Sequence, residues 1–407
     1  MKINSPTRHV NLDIRDPAFY NDPYPTYHEL RRRVPIFYWE NHDLWTFTRH
    51  EDVSAILRDR RFGRQITHIK SRENLGWPAE PPHLKPFYDI DRLSMLDLEP
   101  PAHTRLRGLV HKAFTARHIE RLRGRIAELS HQFIDQMQPG DDLLPAFASP
   151  IPVIIIAEML GVPADMSQQL LDWSHAMVRM YELARTAEME AAAVQAAVEF
   201  ATYLRGYVAQ RRRQPKDDLI THLIAVEEAG EKLTEDELIS TCILVLNAGH
   251  EATVNVVGNG VAALLQNRGA WEQWQQDGEG LAKTAVEELL RYDTPLHQFN
   301  RWVLEDLEYG GQQFQQGTQV SLLLGAANRD PAQFANPDQL DLTREKNPHL
   351  SFGAGIHFCL GAPLARLELQ TSLPILLQRL PTLELITTPR YRNTYHFHGL
   401  ESLQVRW

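Results

Sequence analysis

The chain has 407 residues, 43% of them hydrophobic and 23% charged, and a formal net charge of −10 at pH 7. This composition is typical of a globular protein, and the negative charge disfavours nucleic acid as a partner. Only two cysteines are present, which excludes a disulfide framework and indicates a reducing compartment. The N-terminal residues lack an apolar stretch and no apolar run is long enough to span a bilayer. We therefore expect a cytoplasmic protein without signal peptide or membrane anchor.

The first third of the chain mixes several kinds of local pattern. Residues 1–60 combine short helices with strand-like pieces, among them Ile36–Trp39 and Leu44–Phe47. Residues 64–95 are rich in proline, glycine and aromatic residues, a composition that predicts a long loop.

The rest of the chain is mainly helical. The pattern from about 103 to 290 predicts helices, residues 307–324 predict β-structure, and residues 389–407 predict extended chain. No repeat or low-complexity linker interrupts the sequence. We expect a single domain over residues 1–407, mainly α with a smaller β-rich part.

The longest predicted helix begins at Thr234, which forms a capping-box pattern with Glu237. It continues to about residue 267, a length of roughly 50 Å at 1.5 Å per residue. Its middle is apolar on nearly every face, which predicts burial. Glu251 lies in this buried middle, and a carboxylate there is costly unless it is paired or used. Glu251 is therefore predicted to be either a functional group or half of a salt bridge.

A glycine-rich loop occupies residues 352–361 and ends just before a predicted helix at 362–380. Cys359 lies where free amide groups and the positive end of the helix dipole favour thiolate over thiol. Gly353 and Gly355, with Gly361, remove side chains where a bulky planar group would lie against the backbone. A thiolate presented to such a group suggests a haem iron with a cysteine ligand.

Other interpretations of Cys359 are weaker. A lone intracellular cysteine is commonly a buried structural residue. Zinc is poorly supported because the only other cysteine is Cys242 and no paired Cys/His spacing exists. A covalent c-type haem needs a C-x-x-C-H motif, which the sequence lacks.

The cysteine loop resembles the signature of the cytochrome P-450 family, F-G-x-G-x-H-x-C-x-G followed by L-A-R, and fills every fixed position through Arg366. This resemblance implies the cytochrome P-450 fold, with haem b (iron protoporphyrin IX) buried between the long central helix and the cysteine loop. It implies Cys359 as the iron ligand, with Phe352 and Gly361 in the cofactor-binding loop.

The middle of the long helix resembles the oxygen-activating A-G-x-(D/E)-T-T stretch of the same family. By that resemblance Ala248 and Gly249 line the oxygen pocket and Glu251 belongs to the proton-delivery path. The first threonine of the family is Ala252 here, and Thr253 is rotated from it by about 100° around the helix. Proton delivery is completed by ordered water held by Glu251 and Thr253 or by a substrate hydroxyl, or else the enzyme leaks or uses peroxide.

Further matches concern haem anchoring and structural support. Four residues match family positions that bind the haem propionates, namely His103, Arg107, Arg301 and His357. Glu288 and Arg291 match the structural E-x-x-R ion pair. Gln339 stands where an arginine usually completes that network.

The resemblance implies a haem-thiolate monooxygenase that hydroxylates a small to mid-sized lipophilic molecule, such as a macrolide, terpenoid, steroid or fatty-acid derivative. A ferredoxin or flavodoxin would supply electrons by docking near Arg107 and Lys112, inside a basic run from 105 to 125. The alternative interpretation of this basic run is an ordinary solvated helix face. We expect a monomer. Two alternatives stay open: a peroxygenase or oxidative coupling enzyme on the same scaffold, and a non-catalytic haem-binding sensor.

Overall fold

The computed structural model describes residues 1–114, 116–182, 185–228 and 230–407. Its helices are α1 Pro17–Asn21, α2 Tyr24–Arg33, α3 His50–Arg58, α4 Lys85–Asp91, α5 Ala102–Ala113, α6 Ala116–Glu120, α7 Arg123–Gln136, α8 Pro150–Leu160, α9 Ser167–Val178, α10 Ala187–Arg213, α11 Leu219–Ala225, α12 Glu235–Gln266, α13 Arg268–Asp277, α14 Ala282–Tyr292, α15 Leu324–Ala327 and α16 Ala362–Arg379. Its strands are β1 Lys2–Asn4, β2 His9–Asn11, β3 Ile36–Trp39, β4 Leu44–Phe47, β5 Phe62–Gly63, β6 Glu227–Glu228, β7 Glu231–Lys232, β8 Gln298–Val303, β9 Leu307–Tyr309, β10 Gln312–Phe314, β11 Gln319–Leu323, β12 Glu384–Leu385, β13 Arg390–Tyr391, β14 Leu400–Ser402 and β15 Val405–Arg406. The prediction of a mainly α chain with a smaller β-rich part is confirmed. Among the described residues, no helix has the length and apolar character needed to cross a membrane.

The chain divides into two compact units. The β-rich unit comprises Met1–Ile66, Ala127–Ala148 and Ala252–Trp407, and the helical unit comprises Thr67–Ile126 and Ser149–Glu251. Buried apolar side chains occur in both units. The single domain expected over residues 1–407 stays a prediction.

The β-rich unit is built on a sheet with the strand order β1-β2-β3-β4-β11-β8-β5. β11 runs parallel to β4 and antiparallel to β8, and the predicted strands β3 and β4 are confirmed with the expected bounds. Phe47 and Leu322 belong to the core cluster on this sheet. Leu350 and Ala354, at the start of the cysteine loop, are buried in the same cluster, so the sheet anchors the loop.

The helical unit packs α9 against α10, where the Trp173 and Phe200 rings stack with their centroids 5.1 Å apart. The predicted loop at 64–95 is partly wrong, because α4 and a 3₁₀ turn at Pro82–Leu84 lie within it. α4 has only seven residues and buries Phe87 alone. A helix this short offers no apolar repeat from which it could be predicted.

α12 follows the predicted long helix closely. The backbone amide of Glu237 donates to Thr234 Oγ1 over 3.2 Å, and the amide of Thr234 donates to Glu237 Oε2 over 2.9 Å, which confirms the capping box. The helix residues up to Glu251 belong to the helical unit and those from Ala252 to the β-rich unit. The middle of the helix is therefore where the chain leaves one unit for the other.

The burial of Glu368 on α16 lowers the stability of the folded protein. Its side chain is 2% exposed, its Oε1 makes no hydrogen bond to the described residues, and burial raises the pKa of its carboxyl to about 8. An unfolded glutamate has a pKa of about 4.3. Between these two pKa values the folded state binds more protons than the unfolded state, so the free energy of unfolding falls as pH rises.

We predict that Glu368→Gln removes this pH dependence, so that its free energy of unfolding gains on the order of 3 kcal/mol relative to the wild type between pH 5.5 and pH 8. Guanidinium unfolding of the holoprotein at pH 5.5 and pH 8 measures the effect. The control is Glu345→Gln, because Glu345 is exposed. The same decline of stability with pH in wild type and Glu368→Gln would contradict the prediction.

Candidate active-site residues

The cysteine loop is closed by its own backbone. The amide of Gly353 donates to the carbonyl of Leu350 over 2.8 Å, and the amide of Cys359 donates to the carbonyl of Phe352 over 3.0 Å. Cys359 is exposed and lies three residues before α16 begins. The structure therefore places the thiol beside the unsatisfied amide groups of a helix N-terminus, where a thiolate is favoured.

Gly355 is required in the loop for a second reason, which is backbone packing. Its φ is +70°, and a Cβ there would overlap the carbonyl oxygen of Leu57 on α3. Only glycine combines this conformation with such a close approach. The expectation that Gly355 leaves space for a planar group is thus not its only explanation, because packing of the loop on α3 already requires it.

The residues beside Cys359 leave apolar surface uncovered. Ile356 is 37% exposed and Phe358 is 39% exposed, and both are among the few large hydrophobic side chains exposed in the described residues. Exposed apolar surface around a single soft ligand fits a large, planar, apolar group bound through its metal. The loop therefore fits haem, whereas Cys242 does not, because complete burial raises the pKa of that thiol to about 12.

Glu287 on α14 braces the far side of the loop. Arg366, in the first turns of α16, donates to both carboxylate oxygens over 2.6 and 2.7 Å, and His349 Nε2 lies 3.0 Å from Oε2. Burial alone would raise the pKa of Glu287, but the bonds from Arg366 and His349 outweigh it and hold the pKa at about 2. The guanidinium of Arg366 also lies 4.5 Å from the Phe352 ring centroid.

The expected E-x-x-R pair is present and fully buried. Arg291 donates to both oxygens of Glu288 over 2.8 Å, and both side chains are 0% exposed. The third member of the network is Arg344, whose Nε lies 3.0 Å from Glu288 Oε2. Gln339 contributes only its backbone carbonyl. Sequence reasoning missed Arg344, which lies five residues beyond the position compared with the family motif.

Two predicted propionate ligands belong to the β-rich unit. Arg301 on β8 is 3% exposed, and its Nη1 donates to the carbonyl of Asn300 over 2.9 Å. His357 lies in a 3₁₀ turn two residues before Cys359. A buried guanidinium and an imidazole close to Cys359 are suitable partners for a carboxylate. Their role as propionate ligands stays a prediction.

The other two predicted propionate ligands belong to the helical unit. His103 and Arg107 lie one turn apart on α5, and His103 is 1% exposed. The spacing on one helical face is as the sequence predicts. Their contact with a propionate stays a prediction.

The basic run from 105 to 125 is less positive than its sequence suggests. Acidic side chains of the helical unit neutralise several of its arginines, in the pairs Arg105–Glu237, Arg121–Asp217, Arg123–Glu120 and Arg125–Glu158. Lys112 on α5 is exposed. Thr115 and the side chain of Arg117 lie outside the described residues. Surface pairs of this kind contribute little stability but lower the local positive charge.

The predicted small residues of α12 have different surroundings. Ala248 is exposed although most of the helix around it is buried. Gly249 packs on α8, because a Cβ there would lie 2.5 Å from Ile156 Cδ1. Asn247 Nδ2 lies 3.9 Å from Met177 Sδ, so this amide faces α9. Ala248 is thus the position at which the helix offers a cleared surface.

Glu251 contacts two histidines that sequence reasoning missed. Its Oε2 lies 3.6 Å from His175 Nε2 and 3.7 Å from His250 Nε2, and its side chain is 12% exposed. The salt-bridge alternative named no histidine as a partner of Glu251, and the structure places these two beside its carboxylate. Thr253 is 5% exposed and belongs to the β-rich unit. The catalytic roles of Glu251 and Thr253 stay predictions.

Comparison with known proteins agrees with this arrangement. Residues 156–387 match the family model described as cytochrome P450. The chain is 41% identical to the polyketide biosynthesis cytochrome P450 PksS of Bacillus subtilis, covering 95% of this chain and 96% of that protein. It is 39% identical to the biotin biosynthesis cytochrome P450 of Bacillus subtilis, again covering 95% and 96%.

A solved structure shows the same fold. The crystal structure of P450BioI in complex with hexadec-9Z-enoic acid ligated acyl carrier protein has a TM-score of 0.89 and 37% identity, and covers 96% of this chain and 99% of that chain. The signature loop, the buried E-x-x-R pair and these similarities agree. The chain belongs to the cytochrome P450 family and is a haem b oxidoreductase of bacterial type.

Proposed function

We propose that this haem monooxygenase hydroxylates a lipophilic acyl or polyketide-derived molecule, with Cys359 as the iron ligand. The observation that carries the proposal is the exposed Cys359 thiol before α16, flanked by the uncovered side chains of Ile356 and Phe358. Bound haem supplies dioxygen activation, in which one oxygen atom enters the substrate and the other is reduced to water.

The remaining predicted residues have supporting roles in this proposal. The haem carboxylates would be held by four residues, His103, Arg107, Arg301 and His357. Phe352 and Gly361 shape the loop around the sulfur. Ala248 leaves room beside the haem, the neighbouring Gly249 lets α12 pack closely on α8, and Glu251 and Thr253 hold or move protons.

The substrate class rests on two kinds of support. One relative is named as a polyketide biosynthesis cytochrome P450, and the structure of another was solved with a fatty acid on an acyl carrier protein. We propose Met177 and Asn247, whose side chains meet at 3.9 Å, as one apolar and one polar contact for the substrate. A long apolar chain carrying few polar groups suits such a lining.

A peroxide-using enzyme is the second candidate, and Ala252 favours it. The family's threonine hydroxyl is missing at this position. A peroxygenase takes its oxygen and both electrons from peroxide, so it does not depend on protons delivered by Glu251. The two functions therefore differ in how they respond to loss of that carboxylate.

We predict that Cys359→Ser abolishes hydroxylation and moves the Soret band of the reduced carbon monoxide complex from the strongly red-shifted position to the ordinary one, because the thiolate is lost. The matched control is Cys242→Ser, since Cys242 is the only other cysteine and is buried. A red-shifted band that survives in Cys359→Ser, or disappears in Cys242→Ser, would overturn the ligand assignment.

We predict that Glu251→Gln lowers NADPH-driven turnover by at least about 10-fold, because a proton-transfer group typically contributes two or more orders of magnitude. Peroxide-driven turnover of the same variant is expected to stay near the wild-type rate. The control is Glu235→Gln, an exposed carboxylate in the first turn of the same helix.

Equal NADPH-driven rates in wild type and Glu251→Gln would remove Glu251 from proton delivery. A wild type that turns over readily with peroxide but releases nearly all NADPH electrons as peroxide would favour the peroxygenase. Both outcomes are read from product and peroxide yields per NADPH consumed.

We further propose that a ferredoxin or flavodoxin donates the electrons and docks near Arg107 and Lys112. We predict that Lys112→Glu raises the KM for a plant-type [2Fe–2S] ferredoxin roughly 5-fold at low salt, and that the difference shrinks at high salt through screening. Lys216→Glu, a charge reversal at another exposed lysine of the helical unit, is the control. An unchanged KM for Lys112→Glu would move the docking site elsewhere.

A further inference from the structure

Three potential metal ligands meet at the middle of α12. His175 on α9, His250 and Glu251 each offer one atom, and these atoms all lie within 4.8 Å of one another. All three residues belong to the helical unit. Two imidazole nitrogens and one carboxylate oxygen form a donor set typical of zinc sites that keep an open position.

His250 is oriented as a ligand would be. Its Nδ1 lies 3.0 Å from the carbonyl of Leu246 and donates to it, which leaves the Nε2 lone pair directed elsewhere. His250 is 2% exposed, and its Nε2 makes no hydrogen bond to any described residue. Metal-binding histidines commonly donate the other ring N–H to a backbone carbonyl in this way. Burial also lowers the pKa of His250, which keeps the imidazole in the neutral form that binds metals.

The separations between the donor atoms match a tetrahedral centre. Metal–ligand bonds of about 2.0–2.2 Å at a tetrahedral angle place two ligand atoms roughly 3.3–3.6 Å apart. The two measured separations from Glu251 Oε2 are 3.6 Å to His175 and 3.7 Å to His250. The His175 side chain is 53% exposed, which gives an ion access from solvent and leaves this imidazole free to adjust its position.

Two other groups of similar composition fit a metal less well. In the first, the His118 and His222 rings stack with centroids 4.6 Å apart and 13° between their planes. The carboxylate of Asp217 already accepts a hydrogen bond from Arg121. In the second, Asp293 is 5% exposed, lies beside His297 and His398, and accepts hydrogen bonds from the hydroxyls of two tyrosines, Tyr24 and Tyr391. The cluster at Glu251 alone combines a buried, unbonded nitrogen with an exposed ligand among the described residues.

We propose that His175, His250 and Glu251 bind a divalent first-row transition metal ion, and that the bound ion inhibits turnover by occupying the Glu251 carboxylate. The inhibition rests on the proton-delivery role proposed for Glu251. The binding itself does not, because it requires only the three ligands and no catalytic turnover.

The test is equilibrium dialysis of the ferric holoprotein against Zn²⁺, with zinc and haem iron quantified by mass spectrometry. His175→Gln removes the exposed ligand and leaves the core of the protein intact. We expect the wild type to bind one zinc at least about 10-fold more tightly than this variant, since even the loss of an outer-shell partner has that effect. His222→Gln and His83→Gln, which alter the stacked cluster and a surface His–Glu pair, are expected to retain the wild-type affinity.

Turnover provides the second readout. Zinc is expected to slow NADPH-driven hydroxylation by the wild type, to leave peroxide-driven hydroxylation unchanged, and to have little effect on His175→Gln. Equal zinc affinity in wild type and His175→Gln would overturn the metal site. Tight binding that His175→Gln weakens, without any effect on turnover, would keep the site and overturn the inhibition.

Discussion

Two successive carboxylates on α14 hold the cysteine loop at both ends. Glu288 is completely buried, and a buried charge is tolerated only when its hydrogen-bonding capacity is filled. Arg291 fills part of that capacity, and residues 341–347 supply the rest, through the side chains of Arg344 and Asn347 and the amide of Asp341. Because this segment leads directly to Leu350, the buried ion pair fixes the chain just before the loop.

Glu287 performs the equivalent task after the loop. Its bidentate bond to Arg366 fixes the first turns of α16, and its contact with His349 returns to the segment before the loop. The position of the Cys359 thiol thus depends on two adjacent glutamates: Glu288 binds the segment before the loop, and Glu287 binds chain on both sides of it. The loop itself contributes the hydrogen bond from the Cys359 amide to the Phe352 carbonyl, and Gly355, whose backbone lies close to α3.

Local signals in the sequence predicted much of this structure correctly. The strands Ile36–Trp39 and Leu44–Phe47 and the capping box of α12 depend on residues close together in the chain, so their patterns are visible in the sequence. The sequence did not predict α4, because a helix with a single buried residue shows no apolar periodicity. The packing of Gly249 on Ile156 was also missed, since α8 lies far from α12 in the sequence.

The sequence by itself determined the family and the chemistry of the ligand loop, because the signature places a cysteine, its glycines and a following helix within a few residues of each other. Only the tertiary structure decided which side chains pair with the buried carboxylates. Arg344 meets Glu288 across 56 residues, and His175 meets Glu251 from another helix. Helical spacing specifies neighbours within one or two turns. Contacts between separate elements depend on how those elements pack, and a single sequence does not state that packing.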